Sequence, residues 1–203
     1  MAETIKFRGG DAENALYRAK EAILTGKTVI HPTDTVYGIG GDATNHRVVE
    51  RVQEIKGLGR DKPLSVMMAD LNMIDEYCEI GLWEEMILKR YLPGPFTFIL
   101  RKKKDLPATS NDALGIRIPE MDFCNTLSEE VGKPIISTSA NKTGKPAPTS
   151  FEEISRNILA AVDIAVDKGP TRYGRASDVV DLVNKKIVRK GVGRIDLSKL
   201  PGS

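Results

Sequence analysis

Thr28-Val29-Ile30-His31-Pro32-Thr33-Asp34-Thr35-Val36-Tyr37-Gly38 holds the change of pattern that decides the fold. Its first four residues read as a short buried strand. Pro32 removes a ladder donor and ends that strand, and a polar turn rich in hydroxyls follows. Upstream, Ala12, Leu16, Ala19, Ala22 and Ile23 recur at helical spacing, with Asp11 placed to cap the helix and Gly26 to stop it. Downstream, Val48, Val49, Val52 and Ile55 mark a second helix that ends at Lys56-Gly57. Helix, strand, polar turn, helix is the alternation of an α/β domain.

The rest of the chain continues the alternation. Pro63 to Met68 reads as a strand, and Leu82, Trp83, Met86 and Ile87 as a helix stopped by Pro93-Gly94-Pro95. Phe96 to Leu100 and Leu114 to Ile118 read as strands, Phe123, Leu127 and Val131 as a helix, and Pro134-Ile135-Ile136 as the start of another strand. Ser150 and Glu153 have capping-box spacing ahead of Phe151, Ile154 and Ile158. Ile164 to Val166, Asp178 to Val183 and Ile187 to Arg189 are further strands. Asn184-Lys185 between the last two predicts a hairpin, so the sheet is mixed rather than purely parallel. Trp83 and the Met67-Met68 pair belong in the core.

With 203 residues, 40% of them hydrophobic, the chain can bury a real core in one domain. A 29% charged content and a net charge of +2 exclude a disordered chain and a strongly basic tail. His31 and His46 are the only histidines, and Cys78 and Cys124 the only cysteines. That excludes a multi-histidine metal site, a four-cysteine zinc site and a disulfide framework. The cysteines read as small buried apolar residues in a reducing cytoplasm. No apolar run approaches the ~20 residues of a membrane span. Met1-Ala2-Glu3-Thr4 lacks a signal-peptide layout, so a cytoplasmic location is expected. His31, caught between a strand and a proline, reads as a packed histidine rather than a base, and His46 as solvated.

Familiar motifs are missing. There is no Walker loop, Gly38-Ile39-Gly40-Gly41 lacks the third glycine of a dinucleotide fingerprint, and no Gly-x-Ser-x-Gly elbow occurs. Instead, small hydroxyl or amide residues, glycines and a cation recur at strand ends. They occupy 32–38, 56–62, 115–117, 137–141, 174–177 and 189–191. Hydroxyls, exposed N–H groups, Lys and Arg are what phosphate and carboxylate oxygens need, and α/β ligands gather at strand ends. Ser137, Ser139 and Asn141 alternate, so an extended backbone turns them the same way. No pair of carboxylates stands out as an acid–base couple. Such a site suits catalysis by positioning and charge neutralisation, with nucleotidyl or phosphoryl transfer assisted by Mg²⁺ as the leading class. Asp34, Asp42 and Asp178 are the candidate metal-associated carboxylates, and spacing selects none of them.

In this order, Pro32-Thr33-Asp34-Thr35-Val36-Tyr37-Gly38, the 56–64 segment, Leu92-Pro93-Gly94-Pro95-Phe96-Thr97, Gly115-Ile116-Arg117-Ile118-Pro119, Ser137-Thr138-Ser139-Ala140-Asn141 and Val188-Arg189-Lys190-Gly191 resemble the YrdC-like family of threonylcarbamoyl-AMP synthases. The resemblance runs from about Phe7 to Arg194 and leaves 195–203 as a C-terminal tail. It implies an open, twisted α/β sheet around a large, positively charged concave surface. It also implies the conversion of L-threonine, bicarbonate and ATP, with Mg²⁺, into threonylcarbamoyl-adenylate and pyrophosphate. The intermediate would pass to tRNA-modification proteins that make N6-threonylcarbamoyladenosine. Carried over position by position, the resemblance gives Thr35, Arg117, Ser137 and Ser177 to threonine. It gives Lys56, Lys62, Ser139, Asn141 and Arg189 to the nucleotide, and assigns no metal ligand. Lys56 is the expected catalytic cation. The family's Lys-x-Arg reads Lys56-Gly57-Leu58 here, which leaves Arg60 to take the arginine's part. Met67 stands where a histidine is common, and 62–65 with 177–182 look closer to the YciO-like branch. The alternative expectation is a non-catalytic binder of nucleotide, tRNA or double-stranded RNA. It would use the 101–104 run and Lys185, Lys186, Arg189, Lys190 and Arg194 on phosphates.

Overall fold

The hydroxyl-rich turn after His31 lies where two sheets meet. A computed structural model describes residues 2–7 and 11–196. The first sheet contains β1 (Glu3–Lys6), β2 (Val29–His31), β3 (Gly38–Gly40), β8 (Thr138–Ser139) and β9 (Ile164–Asp167), in the order β1-β9-β2-β3-β8. The second contains β4 (Val66–Met67), β5 (Phe96–Arg101), β6 (Ala113–Arg117), β7 (Ile135–Ile136), β10 (Asp178–Asp181) and β11 (Lys186–Arg189), in the order β11-β10-β5-β6-β4-β7. Among the described residues six α-helices complete the fold: α1 (Ala12–Leu24), α2 (His46–Lys56), α3 (Leu71–Tyr77), α4 (Leu82–Tyr91), α5 (Asp122–Val131) and α6 (Arg156–Ala161). The expected mixed α/β architecture is present, with its strands divided between two mixed sheets rather than held in one.

The division follows from one short stretch. β7 pairs with β4 in the second sheet, and β8, two residues later, pairs with β3 in the first. Ser137 sits between them, its N–H donating to Ser65 O at 2.9 Å while Ser65 Oγ donates to Ser137 O at 2.8 Å. Ile136 N–H donates to Gly41 O at 2.8 Å, so the same stretch is bonded on both sides.

Two hydrophobic clusters result. The larger includes Ile39, Val52, Phe98, Ile116 and Ile136; the smaller packs α1 and α5 over β2 and β9 through Ala15, Ala19, Ile23, Phe123 and Leu127. Met67 and Met68 are fully buried, as expected, and Trp83 is half-buried at the rim. Cys78 and Cys124 are buried and free.

Several elements escape the periodicity. β3 is Gly-Ile-Gly, a poor strand by composition. Its glycines are imposed from across the sheet: a Cβ on Gly38 would stand 2.8 Å from the His31 ring, and one on Gly40 2.9 Å from it. The capping box expected at Ser150 does not form around Ser150. Glu153 instead accepts from Thr149 N at 2.7 Å, closing one 3-10 turn, and Ser155 caps α6 by accepting from Ile158 N. Asp70 starts α3, its carboxylate accepting from Met73 N at 2.7 Å. The Asn184-Lys185 hairpin is present, with Lys185 at φ 48 and Asn184 N donating to Asp181 Oδ1 at 2.9 Å. β1 precedes Phe7 and pairs parallel to β9. Of the tail, Ile195 is buried, and 197–203 lie outside the described residues. No helix among the described residues is long and apolar enough to cross a membrane.

Candidate functional site

Thr33 shapes the turn. Its hydroxyl accepts from Thr35 N at 3.1 Å and Val36 N at 3.2 Å and donates to Val36 O at 2.6 Å, a local side-chain turn that replaces backbone pairing after Pro32. The turn directs Asp34 and Thr35 at Arg117, the last residue of β6. Arg117 Nη2 donates to Asp34 Oδ1 at 2.5 Å and to Thr35 Oγ1 at 3.1 Å, and all three residues are buried. Glu120 N donates to Asp34 Oδ2 at 3.2 Å, Tyr173 N to Asp34 O at 2.9 Å, and Thr171 Oγ1 to Thr35 O at 2.8 Å. Asp34 is therefore consumed. Arg117 Nε is not: it is buried without a hydrogen-bond partner, and so is Ser137 Oγ at the seam. Each such atom costs about 1–3 kcal/mol unless something binds it. A guanidinium edge with a free N–H suits a carboxylate.

A second group lies across the other sheet. Arg189 on β11 donates through Nε and Nη2 to Ser177 O at 3.2 and 3.0 Å, and through Nη2 to Ser177 Oγ at 3.2 Å. Ser177 Oγ is 2.9 Å from Thr97 Oγ1 on β5. Burial lowers the Arg189 pKa, and the charge of Arg117 lowers it further, so the two guanidiniums share one electrostatic environment. Beside Arg189 lies a cavity of about 260 Å³ lined also by Ser65, Thr97, Gly115 and Val179. Asp178 fixes the returning chain: its Oδ1 accepts from Gly191 N at 2.5 Å and Gly193 N at 3.1 Å. A Cβ on Gly191 would come within 2.2 Å of Ala176 O, so glycine alone permits this closeness.

The third group gathers at the end of α2, where Gly57 takes a left-handed conformation at φ 66. Lys56 is 5% exposed, and its Nζ donates to Ser139 O, to Asn141 O at 3.1 Å and to Ser139 Oγ at 3.5 Å. Burial pulls this ammonium down to about 8. Gln53 Nε2 holds the following loop by donating to Arg60 O at 2.9 Å and Lys62 O at 3.1 Å. Leu58 packs its side chain on the larger core cluster, an anchoring role an arginine would not fill.

Of the expected site residues, the fold joins Thr35 to Arg117, Ser177 to Arg189, and Lys56 to Ser139 and Asn141. Ser137 sits at the seam among them. Arg60 and Lys62 remain exposed on the loop, and Arg60 Nη1 faces Glu50 Oε1 at 3.7 Å. The candidate metal carboxylates all have protein partners: Asp34 and Asp178 as described, and Asp42 through Thr44 and Lys133. Among the described residues no cluster of three or more His, Cys, Asp or Glu could hold a metal. His31, fully buried, has its pKa lowered to about 4 chiefly by burial, and so is a neutral packed ring. Burial pushes both thiols up to about 12, which leaves no reactive cysteine. Gln53 and Thr97 were not singled out by the sequence as site residues, and Asp34 was read only as a candidate metal carboxylate, not as the partner of Arg117.

Fold and site together define a mixed α/β protein in which the buried cations Lys56 and Arg117 each meet hydroxyl-bearing residues near the junction of two sheets. The chain belongs to the Sua5/YciO/YrdC family, whose model, described as telomere recombination, matches residues 21–191. It is 38% identical over 182 residues to a putative threonylcarbamoyl-AMP synthase of Methanocaldococcus jannaschii, covering 89% of this chain and 86% of that protein. It is 34% identical over 182 residues to the threonylcarbamoyl-AMP synthase of Pyrococcus abyssi, spanning 88% of this chain but 54% of that protein. Among solved structures, P. abyssi Sua5 complexed with L-threonine matches at a TM-score of 0.87 with 32% identity, covering 94% of this chain and 58% of that one. E. coli YciO matches at a TM-score of 0.86 with 25% identity, covering 97% and 99%.

Proposed function

We propose that this chain is a threonylcarbamoyl-AMP synthase that joins L-threonine, bicarbonate and ATP and releases pyrophosphate. The carrying observation is two buried, partnerless polar atoms: Arg117 Nε, on the guanidinium that donates to Thr35, and Ser137 Oγ at the seam between the sheets. Their chemistry asks for a small ligand with a carboxylate, and a relative with 32% identity is solved with L-threonine. Arg117 takes the threonine carboxylate, and Thr35, Ser137 and Ser177 take its remaining polar groups. Lys62, Ser139, Asn141 and Arg189 meet the nucleotide, with Arg60 neutralising charge that develops on the phosphates and Lys56 supporting the site from the end of α2.

The chemistry balances without a protein nucleophile. The threonine amine attacks the carbon of bicarbonate, water leaves, and an oxygen of the resulting carbamate attacks the α-phosphorus, expelling pyrophosphate. The chain's part is to orient the three substrates and neutralise phosphate charge. Mg²⁺ enters as part of the substrate Mg·ATP, since Asp34, Asp42 and Asp178 are already committed to protein partners. The product would serve a tRNA-modifying partner in the cytoplasm.

A nucleic-acid-binding reading draws on Lys186 and Lys190, which are exposed at the β11 edge. The 101–104 run contributes less, because Arg101, Lys102, Lys103 and Lys104 pair with Glu79, Asp105, Asp75 and Glu76. The deciding experiment is pyrophosphate release with Mg·ATP. Release that requires both L-threonine and bicarbonate supports the synthase. Release indifferent to threonine, or none with all substrates present, overturns it.

A further inference from the structure

Lys56 is expected to meet nucleotide phosphates, yet its ammonium is spent elsewhere. An ammonium has three N–H donors. Those of Lys56 are directed at Ser139 O, Asn141 O and Ser139 Oγ, all on one short segment. The opposite end of the same residue grips that segment too. Lys56 O, one of the carbonyls a helix end leaves open, accepts from Thr143 N at 3.1 Å and Thr143 Oγ1 at 3.2 Å. No carboxylate pairs with Lys56 among the described residues, and the side chain is buried. A buried cation balanced only by carbonyl dipoles is expensive, and a salt bridge would have been the cheaper arrangement.

We propose that Lys56 is a positioning residue: its ammonium and its carbonyl together staple the 139–143 segment to the end of α2, and so set Ser139 and Asn141 for the nucleotide. This rests on the nucleotide site proposed above. Lys56 then acts on ATP through the segment, not as a phosphate ligand in its own right. Thr143, which no reading has placed at the substrate, becomes the other half of the staple. Two residues that work through one segment must be coupled, whereas a phosphate ligand and a remote threonine must not be.

The test uses the whole protein, with Lys56→Met, Lys56→Arg, Thr143→Val and the Lys56→Met/Thr143→Val double variant. The first readout is amide hydrogen exchange. Lys56→Met and Thr143→Val should each speed exchange in 138–144 about tenfold or more, with β9 unchanged. The planar guanidinium of Lys56→Arg cannot reproduce the three-oxygen cage, so it should not restore protection. The second readout is ATP against threonine. Both single variants should raise the KM for ATP several-fold while leaving the KM for threonine within twofold, and the double variant should be no worse than Lys56→Met.

Unchanged exchange in Lys56→Met overturns the staple. So does a normal ATP KM in Thr143→Val alongside a crippled Lys56→Met, which would make Lys56 a direct phosphate ligand. A wild-type protein that neither binds ATP nor releases pyrophosphate overturns the synthase reading instead. The exchange measurement still decides the staple in that case.

Discussion

Asp34 and Arg117, 83 residues apart in sequence, form an ion pair at 2.5 Å between the first sheet's turn and the second sheet's β6. The Asp34 side chain is 0% exposed and that of Arg117 6%. Asp34→Asn leaves the Arg117 charge buried without a counter-ion and should cost about 3–5 kcal/mol. Urea denaturation checks this against Glu3→Gln, which breaks the surface pair Arg18–Glu3 and should cost no more than about 1 kcal/mol. Equal losses in the two variants would remove the buried pair from its central place.

Ser137→Ala should behave in the opposite manner. Its hydroxyl has no partner in the protein, so the variant should hold its stability within about 0.5 kcal/mol. Threonine affinity should fall about fivefold, the worth of one neutral hydrogen bond of ~1 kcal/mol. Titration calorimetry with L-threonine supplies the measurement, and unchanged affinity would release Ser137 from the substrate.

Acid stability tests His31. Its folded pKa of about 4 lies below the ordinary 6.5, so below pH 6.5 the unfolded chain binds a proton that the folded chain refuses. Stability contributed by the neutral ring is fully present above pH 6.5 and is lost as pH falls toward 4, by up to about 3 kcal/mol. Urea midpoints followed across that window should decline in the wild type and stay flatter in His31→Gln. A parallel decline in both would assign the acid sensitivity to carboxylates.

Arg60→Ala separates surface pairing from catalysis. The Arg60–Glu50 pair is exposed, so stability should change by less than about 0.5 kcal/mol. Turnover should fall about tenfold or more, from loss of a charge-assisted contact worth roughly 1.5–3 kcal/mol. Gln53→Leu, which frees the loop carrying Arg60 and Lys62, should raise the KM for ATP. Normal turnover in Arg60→Ala would confine that arginine to its pairing with Glu50.

The sequence made legible what local pattern controls. Helices α1, α2, α4 and α5 declared themselves by apolar spacing, and β5, β6 and the β10–β11 hairpin by apolar runs and a turn. β3 stayed hidden because its glycines answer to the His31 ring, a neighbour on another strand. The second sheet stayed hidden because Ser137, an ordinary serine in sequence, is where the chain changes partners. At the site, each cation was visible as a residue type at a strand or helix end. What each holds was not: Asp34 with Arg117, Ser139 with Lys56 and Ser177 with Arg189 are long-range or hairpin pairings that spacing does not encode. Arg60 read as the stand-in for the arginine that Leu58 replaces, and its pairing with Glu50, on a loop held by Gln53, directs it outward.

The five residues from Ile135 to Ser139 supply a strand to each sheet, Ile135–Ile136 to the second and Thr138–Ser139 to the first. Neither sheet can lose its strand from this stretch without stripping one from the other. The α1–α5 cluster and the larger cluster, separate as packing units, should therefore melt as one. A calorimetric scan should show one peak with equal calorimetric and van't Hoff enthalpies, and two halves of this chain expressed apart should each lack a finished edge.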